Sequence, residues 1–432
     1  MPLDPSSPFR RRIAVIGGGI SGMGAAHFLA DAAEVTLFEA GPRLGGHART
    51  VMAGQGGQQP VDTGFIVFNH ANYPRLSALF QQLGVPVAPS NMSFAASLRG
   101  GEMEYGLENL KAVFSQRRNM FNPKFLGMIR DILRFNARAL DAASDRHQPL
   151  GDFLEQMQLG DWFRDYYLLP LSGAIWSTPP EQIMRFPAQA LIQFFENHAL
   201  LHHSGQHQWY TVQGGSVEYV RRLEASLRRR LVDLRIGAPV RAVRRFPDHV
   251  ELRVAGGGWE VFDELVLATH SDDSLALLAD PATEEARALG AIGYQPNEIT
   301  LHADPRAMPR RRGCWSSWNY TEGRSARDGK IDLTYWMNKL QPIPANDPMF
   351  VTLNARKPIR DELIYDQVTL RHPVYDLAAL RAQGEVAGFN GARRTWFCGA
   401  WMRNGFHEDG LASAADVADR ILARPDVMVA AE

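Results

Sequence analysis

Residues 12–39 read RIAVIGGGISGMGAAHFLADAAEVTLFE, and no other stretch restricts the fold as much. Ile13–Ile16 is a short apolar run of the kind that forms a buried parallel strand. Gly17, Gly19 and Gly22 follow at once with the spacing G-x-G-x-x-G. Ala25, Ala26, Phe28 and Leu29 continue at helical spacing, and Glu34–Phe38 reads as a second strand ended by Glu39. Gly17 permits the tight turn, Gly19 lets backbone approach a pyrophosphate, and Gly22 lets helix and strand pack closely. Ile20 and Ser21 lie at the helix start, where free N–H groups hold an anion. Glu39 stands where an acid accepts ribose hydroxyls, and its charge argues against a 2′-phosphate there. Strand, turn, helix, strand and acid together predict a dinucleotide site.

The remaining 400 or so residues of this 432-residue chain call for two domains, or one domain with a large insertion. A net charge of −1 gives no field to recruit nucleic acid. Cys314 and Cys398 are the only cysteines, which suits a reducing cytoplasm and gives neither a disulfide framework nor a metal site. No apolar run is long enough to span a bilayer. The N-terminal arginines before an apolar stretch superficially resemble a signal peptide, but the glycines fit a strand and turn better, so the expected location is the cytoplasm. The histidines of HALLHHSGQH lack metal-ligand spacing, and no G-x-S-x-G elbow occurs.

The continuation GPRLGGHART decides between dinucleotides by resemblance. Arg43, Gly45 and Gly46, beyond Ala40, resemble the Arg-x-Gly-Gly segment of the flavin amine oxidase and phytoene desaturase superfamily. That resemblance implies FAD, with this segment along the pyrophosphate; His47 stands where many relatives carry arginine. It also implies an α/β fold: a discontinuous Rossmann-type FAD-binding domain with an inserted α+β substrate domain. The FAD-binding pieces are expected at 10–75, 205–275 and 390–425. The substrate pieces are expected at 76–204, as helices, and at 276–389, as a mixed sheet. Gly214-Gly215 resembles the family's second glycine turn, and Val240 matches the position whose backbone meets the adenine. Ala268-Thr269-His270 resembles a turn near the cofactor, with His270 a turn or cap residue. Gly399-Ala400 and the helix from Gly410 and Leu411 match the piece that faces the flavin, although Ala400 replaces the usual acid.

VDTGFIVFNHANYPRLSALFQQLGV, SGAIWSTPP and GFHEDGL resemble a narrower bacterial subgroup of FAD-dependent oxidoreductases associated with cyclopropane or methyl fatty acid synthesis. This implies a fatty acyl or phospholipid substrate, oxidised as by a dehydrogenase or desaturase, and a fatty acid methyltransferase partner. An amine oxidase, a double-bond isomerase and a non-catalytic flavin module are the alternatives. By resemblance, Phe406 stands at one wall of the amine oxidases' aromatic cage, where they carry tyrosine. Lys339 is the candidate for the lysine that holds a water near the flavin, and His372 falls on the flavin's substrate side. His407 adjoins the cofactor by position, Glu408 and Asp409 read as caps, and Trp176 is a candidate pocket wall. Between Asn109 and Leu140, seven basic residues interleave with apolar ones, a pattern suited to peripheral contact with an anionic inner membrane face or to a solvated helix over core.

Overall fold

The computed structural model describes residues 10–178, 180–201, 207–323 and 332–424. Arg12–Ile16 forms the middle of a five-stranded sheet. Glu34–Glu39 and Asp233–Ile236 lie to one side, and Glu264–Leu267 and Thr395–Phe397 to the other. All four pairings are parallel. Ile13, Val15, Leu37 and Val266 are fully buried, as expected when helices cover a parallel sheet. The helix Ile20–Leu29 packs against the closing helix His407–Leu422. Leu411 explains the fit: its Cδ1 lies 2.7 Å from where a Cβ on Gly24 would stand.

A seven-stranded sheet forms the second layer. Its order is Ile364–Pro373, Tyr294–His302, Phe350–Leu353, Asp332–Trp336, Trp318–Thr321, Phe94–Leu98, Met103–Gly106. The last two strands correct the expectation that 76–204 is helical. Phe94–Leu98 pairs parallel with Trp318–Thr321, and every one of its residues is buried. FAASL therefore lacks the alternation that marks a one-sided strand. Helices do fill most of the following stretch, from Pro123–Ala142 to Ala188–Asn197.

The closing helix begins at His407, three residues before the expected start at Gly410. Asp409 supplies the reason. Its carboxylate accepts from the Phe406 N–H at 2.9 Å and so caps the added turn. Phe406 packs against both the sheet-and-helix core and the core of the five-stranded sheet, so it stands at their junction.

Candidate active site

The glycine turn is built as the sequence predicts. Gly17 has φ +111°, and a Cβ on Gly22 would stand 1.8 Å from the Gly17 carbonyl oxygen. Gly19 differs: nothing in the protein lies within 4 Å of its Cβ position. The space beside it is therefore open to a ligand, as a phosphate cradle requires. Gly46 closes one side, since its Cβ position is 3.1 Å from Gly19 Cα. The Arg43 guanidinium braces this wall by donating to the carbonyls of Leu44, Gly46 and Ala48. Glu39 accepts one backbone N–H on each carboxylate oxygen, from Gly18 and Gly41, both at 2.6 Å. Each oxygen keeps a lone pair for a ribose hydroxyl. Ala40 is exposed beside it, Val240 is buried, and Ile20 and Ser21 are buried at the helix start.

On the other side of the turn, Ser413 Oγ ties Gly399 to Gly410. A Cβ on Gly410 would stand 2.7 Å from Ser21 Oγ and 3.0 Å from Ile20 Cγ2, so any larger residue must push those side chains aside where the two helices meet. Ala400 begins a short 3₁₀ turn whose Trp401 indole donates to the Thr269 carbonyl.

Four histidines gather beyond this cradle. The His47 ring lies 5.8 Å from His270 and 5.6 Å from His372. His407 stacks on Phe65 at 3.8 Å and meets the Tyr219 hydroxyl at 2.9 Å. The histidines belong to four separate parts of the chain. Gly64 joins two of them, because its close approach to the His47 carbonyl seats Phe65 against His407. Trp176 and Phe406 are brought together through Phe194: Trp176 packs at 4.8 Å and Phe406 at 5.0 Å with near-parallel rings. His198 stacks on the same Phe194 at 3.9 Å. Lys339 pairs with Glu108 at 2.8 Å, and no hydrogen bond or ring contact joins it to the histidines or to Phe406.

Sequence reasoning missed Phe65, Phe194, Tyr219 and Asn297, and it missed Asp62. The Asp62 carboxylate accepts from the Thr50 hydroxyl, the Ser216 N–H and hydroxyl, and the Gln341 amide. The segment VDTGF, which carries Asp62, Gly64 and Phe65, was the available signal. Glu408 has a role that no local pattern shows. It accepts from the N–H groups of Arg75 and Leu76 and so caps the helix Pro74–Leu83. Glu408→Ala should therefore cost about 1 kcal/mol in urea unfolding. An unchanged midpoint would contradict this cap.

Burial holds the imidazoles neutral. It pushes His270, His372 and His407 down to about 3 and His198 down to about 4, and it lowers His47 as well. An unfolded imidazole titrates near 6.5, so each contributes stability that is full above that pH and is lost as pH falls toward the native value. Asp62 and Asp409 act in the opposite sense, because burial raises both to about 6 and their ionisation costs stability as pH rises from about 4. The histidines outnumber the two carboxylates. Ligand-free protein should thus gain several kcal/mol between about pH 4.5 and 6.5. Urea midpoints at pH 5 and pH 7 check this, and a higher midpoint at pH 5 would contradict it.

A family model described as flavin containing amine oxidoreductase matches residues 20–335, well over half of the chain. The chain belongs to that family. It is a flavin oxidoreductase, and its cofactor is FAD. The open cradle at Gly19 and the Glu39 carboxylate fit that cofactor's pyrophosphate and ribose. No curated protein matches the chain in sequence. Among solved structures, the fold is shared with the CLA-producing fatty acid isomerase from P. acnes at 15% identity, TM-score 0.68, covering 96% of this chain and 99% of that one. Putrescine oxidase bound to putrescine has the same values of identity, TM-score and coverage of this chain, with 100% of its own chain covered. Cyclohexylamine oxidase from Brevibacterium oxydans IH-35A matches at 15% identity and TM-score 0.64, covering 96% and 100%.

The flavoenzyme contains one group with metal-ligand chemistry among its described residues: His270, Asp272 and Asp273. Arg371 pairs with both of those carboxylates, which gives the acids a protein counter-charge. His202 and His203 of the histidine-rich segment lie outside the described residues.

Proposed function

We propose that this flavoenzyme takes a hydride from a C–H of an apolar fatty acyl chain, unsaturated or methylated, free or in a phospholipid. The carrying observation is the wall of Trp176, Phe194 and Phe406 beside imidazoles that burial keeps neutral. An ammonium group gains from aromatic faces on which it can sit. Here Phe194 lies 5.0 Å from Phe406 at an interplanar angle of 16°, so one face of Phe406 is already covered. That arrangement favours hydrocarbon over a cationic amine. FAD supplies the hydride-accepting chemistry when bound. The protein's aromatic wall excludes water and aligns the chain.

The fold alone does not choose the substrate, since the fatty acid isomerase and the amine oxidases share it at the same 15% identity. Incubation with oleic acid, linoleic acid and their phospholipids, followed by product analysis, tests the proposal. A new double bond supports it. Migration of an existing bond without loss of hydrogen would instead favour the isomerase reading, and turnover of amines alone would sink both.

The proposal extends to how such a substrate is reached. No helix among the described residues is long and apolar enough to cross a membrane. Six of the thirteen exposed large hydrophobic side chains among the described residues nevertheless fall between 110 and 140: Leu110, Met120, Phe121, Leu126, Leu133 and Leu140. Leu126, Leu133 and Leu140 recur every seven residues along the helix Pro123–Ala142 and share one face. Lys111, Arg117, Arg118, Lys124, Arg130 and Arg138 are exposed around them. Apolar side chains within a basic collar suit the anionic inner face of the cytoplasmic membrane. Phe121 is 85% exposed, so Phe121→Asp should leave folding intact. It should weaken cosedimentation with phosphatidylglycerol vesicles about tenfold or more, given the area that side chain would bury. Equal cosedimentation of the two proteins would contradict this docking. A fatty acid methyltransferase is the proposed partner, and copurification with it tests that assignment.

A further inference from the structure

The hydrogen bonds around His372 and His47 fix which ring nitrogen carries the proton in each. Asn297 is completely buried on the strand Tyr294–His302, and it is the link. The orientation of its amide follows from backbone groups that have no choice of role. The Glu298 N–H donates to Asn354 Oδ1 at 3.0 Å. Asn354 must therefore turn its Nδ2 outward, and that nitrogen donates to Asn297 Oδ1 at 2.8 Å. Asn297 Nδ2 is then the donor side. Its two hydrogens go to the two near acceptors, the Ser177 carbonyl at 3.1 Å and His372 Nδ1 at 3.0 Å, while the Gln295 carbonyl stands off at 3.5 Å. A carbonyl cannot donate, so the Ser177 contact confirms the same orientation independently. His372 Nδ1 is an acceptor, and the ring proton sits on Nε2.

His47 has its tautomer set by one contact. Its Nε2 lies 3.2 Å from the Arg371 carbonyl, which only accepts. Nε2 is thus protonated, and Nδ1 is left as a bare imine nitrogen. Neither His372 Nε2 nor His47 Nδ1 has a hydrogen-bond partner among the described residues, and both residues are half-buried. The two rings are 5.6 Å apart, centroid to centroid.

We infer that the two histidines present opposite, fixed polarities to the substrate: His372 offers a neutral Nε2–H donor for an oxygen acceptor, and His47 offers the one imine nitrogen of the pair that no protein donor occupies. This rests on the reading of the histidine group as part of the active site for an acyl substrate. It assigns Asn297 and Asn354 as positioning residues. It also places the proton-accepting role on His47 and not on His372, the residue that resemblance puts on the flavin's substrate side. A neutral imidazole N–H is a weak acid and a useful donor, so His372 suits the carboxyl oxygen of a fatty acid or ester and does not suit an ammonium group. A backbone carbonyl in place of the Asn297 amide would have produced the reverse polarity.

Nitrogen NMR of the holoenzyme, labelled with ¹⁵N-histidine, tests this at pH 7.5. His372→Gln identifies the His372 resonances. The expected spectrum has His372 protonated on Nε2 and bare on Nδ1, and His47 likewise protonated on Nε2. A proton on Nδ1 of His372, or on both nitrogens, would overturn the inference without reference to any substrate. In Asn297→Asp the carboxylate can only accept, so the His372 proton should move to Nδ1. If that variant does not fold, the unmodified protein's spectrum still decides. Oleic acid and its methyl ester should each shift the His372 Nε2 resonance, and hexadecylamine should not. The expected tautomers with a shift from the amine alone would support the inference and overturn the acyl reading on which it is set. Loss of the donor in His372→Phe should raise KM for the acid by about 10- to 100-fold, the range for a hydrogen bond to a charged group.

Discussion

Gly19→Val should yield a folded, colourless protein. Its backbone already has φ −77° and ψ −175°, which valine adopts readily, and no protein atom lies within 4 Å of the new Cβ. The side chain would occupy the space that the pyrophosphate needs. FAD affinity should fall about 100-fold or more, roughly 3 kcal/mol, while the urea midpoint of the ligand-free protein stays unchanged. Gly22→Ala provides the contrast. Its Cβ would stand 1.8 Å from the Gly17 carbonyl oxygen, so the turn itself must break. That variant should lose both flavin and stability. Flavin absorbance per mole of protein, together with urea unfolding, separates the two outcomes. Tight FAD binding by Gly19→Val would show that the cradle lies elsewhere.

Asp62→Ala should be the most destabilising single change in the chain's polar interior. The carboxylate is fully buried and joins three parts of the fold. Thr50 comes from the hairpin Thr50–Asp62, Ser216 from the start of the helix Val217–Arg229, and Gln341 from the turn after the short helix Met337–Leu340. Burial raises its pKa to about 6 even though four donors face it. It therefore remains ionised at neutral pH at some cost, of which those donors recover only a part. Its removal leaves several of them buried without an acceptor, at about 1–3 kcal/mol each. The expected loss is about 3 kcal/mol or more in urea unfolding at pH 7.5. A loss below about 1 kcal/mol would mean that water replaces the carboxylate freely.

These two positions show what a sequence reveals and what it conceals. The glycine turn was legible because all its parts lie within 28 consecutive residues, and each glycine answers a local steric demand. The closing segment GFHEDGL was only partly legible. Asp409 caps its own helix, as residues in that position commonly do. Glu408, beside it, caps a helix more than 300 residues earlier, and nothing in its neighbourhood reveals that. Phe94–Leu98 was hidden for another reason, since a strand covered on both faces carries no alternating pattern. Asn297 is a single asparagine in the strand YQPNEITLH, and its importance appears only when Asn354, Ser177 and His372 converge on it. The substrate is concealed for the same reason: the wall joins Trp176 and Phe194, from two helices of one stretch, to Phe406 more than 200 residues later.

Anaerobic mixing of the yellow holoenzyme with candidate substrates tests the central claim most directly. The claim is that FAD in this cradle draws hydride from an apolar acyl chain. Fatty acids or their phospholipids should bleach the flavin absorbance near 450 nm on the timescale of turnover, and putrescine and cyclohexylamine should leave it unchanged. Bleaching by the amines with none by the lipids would contradict the account.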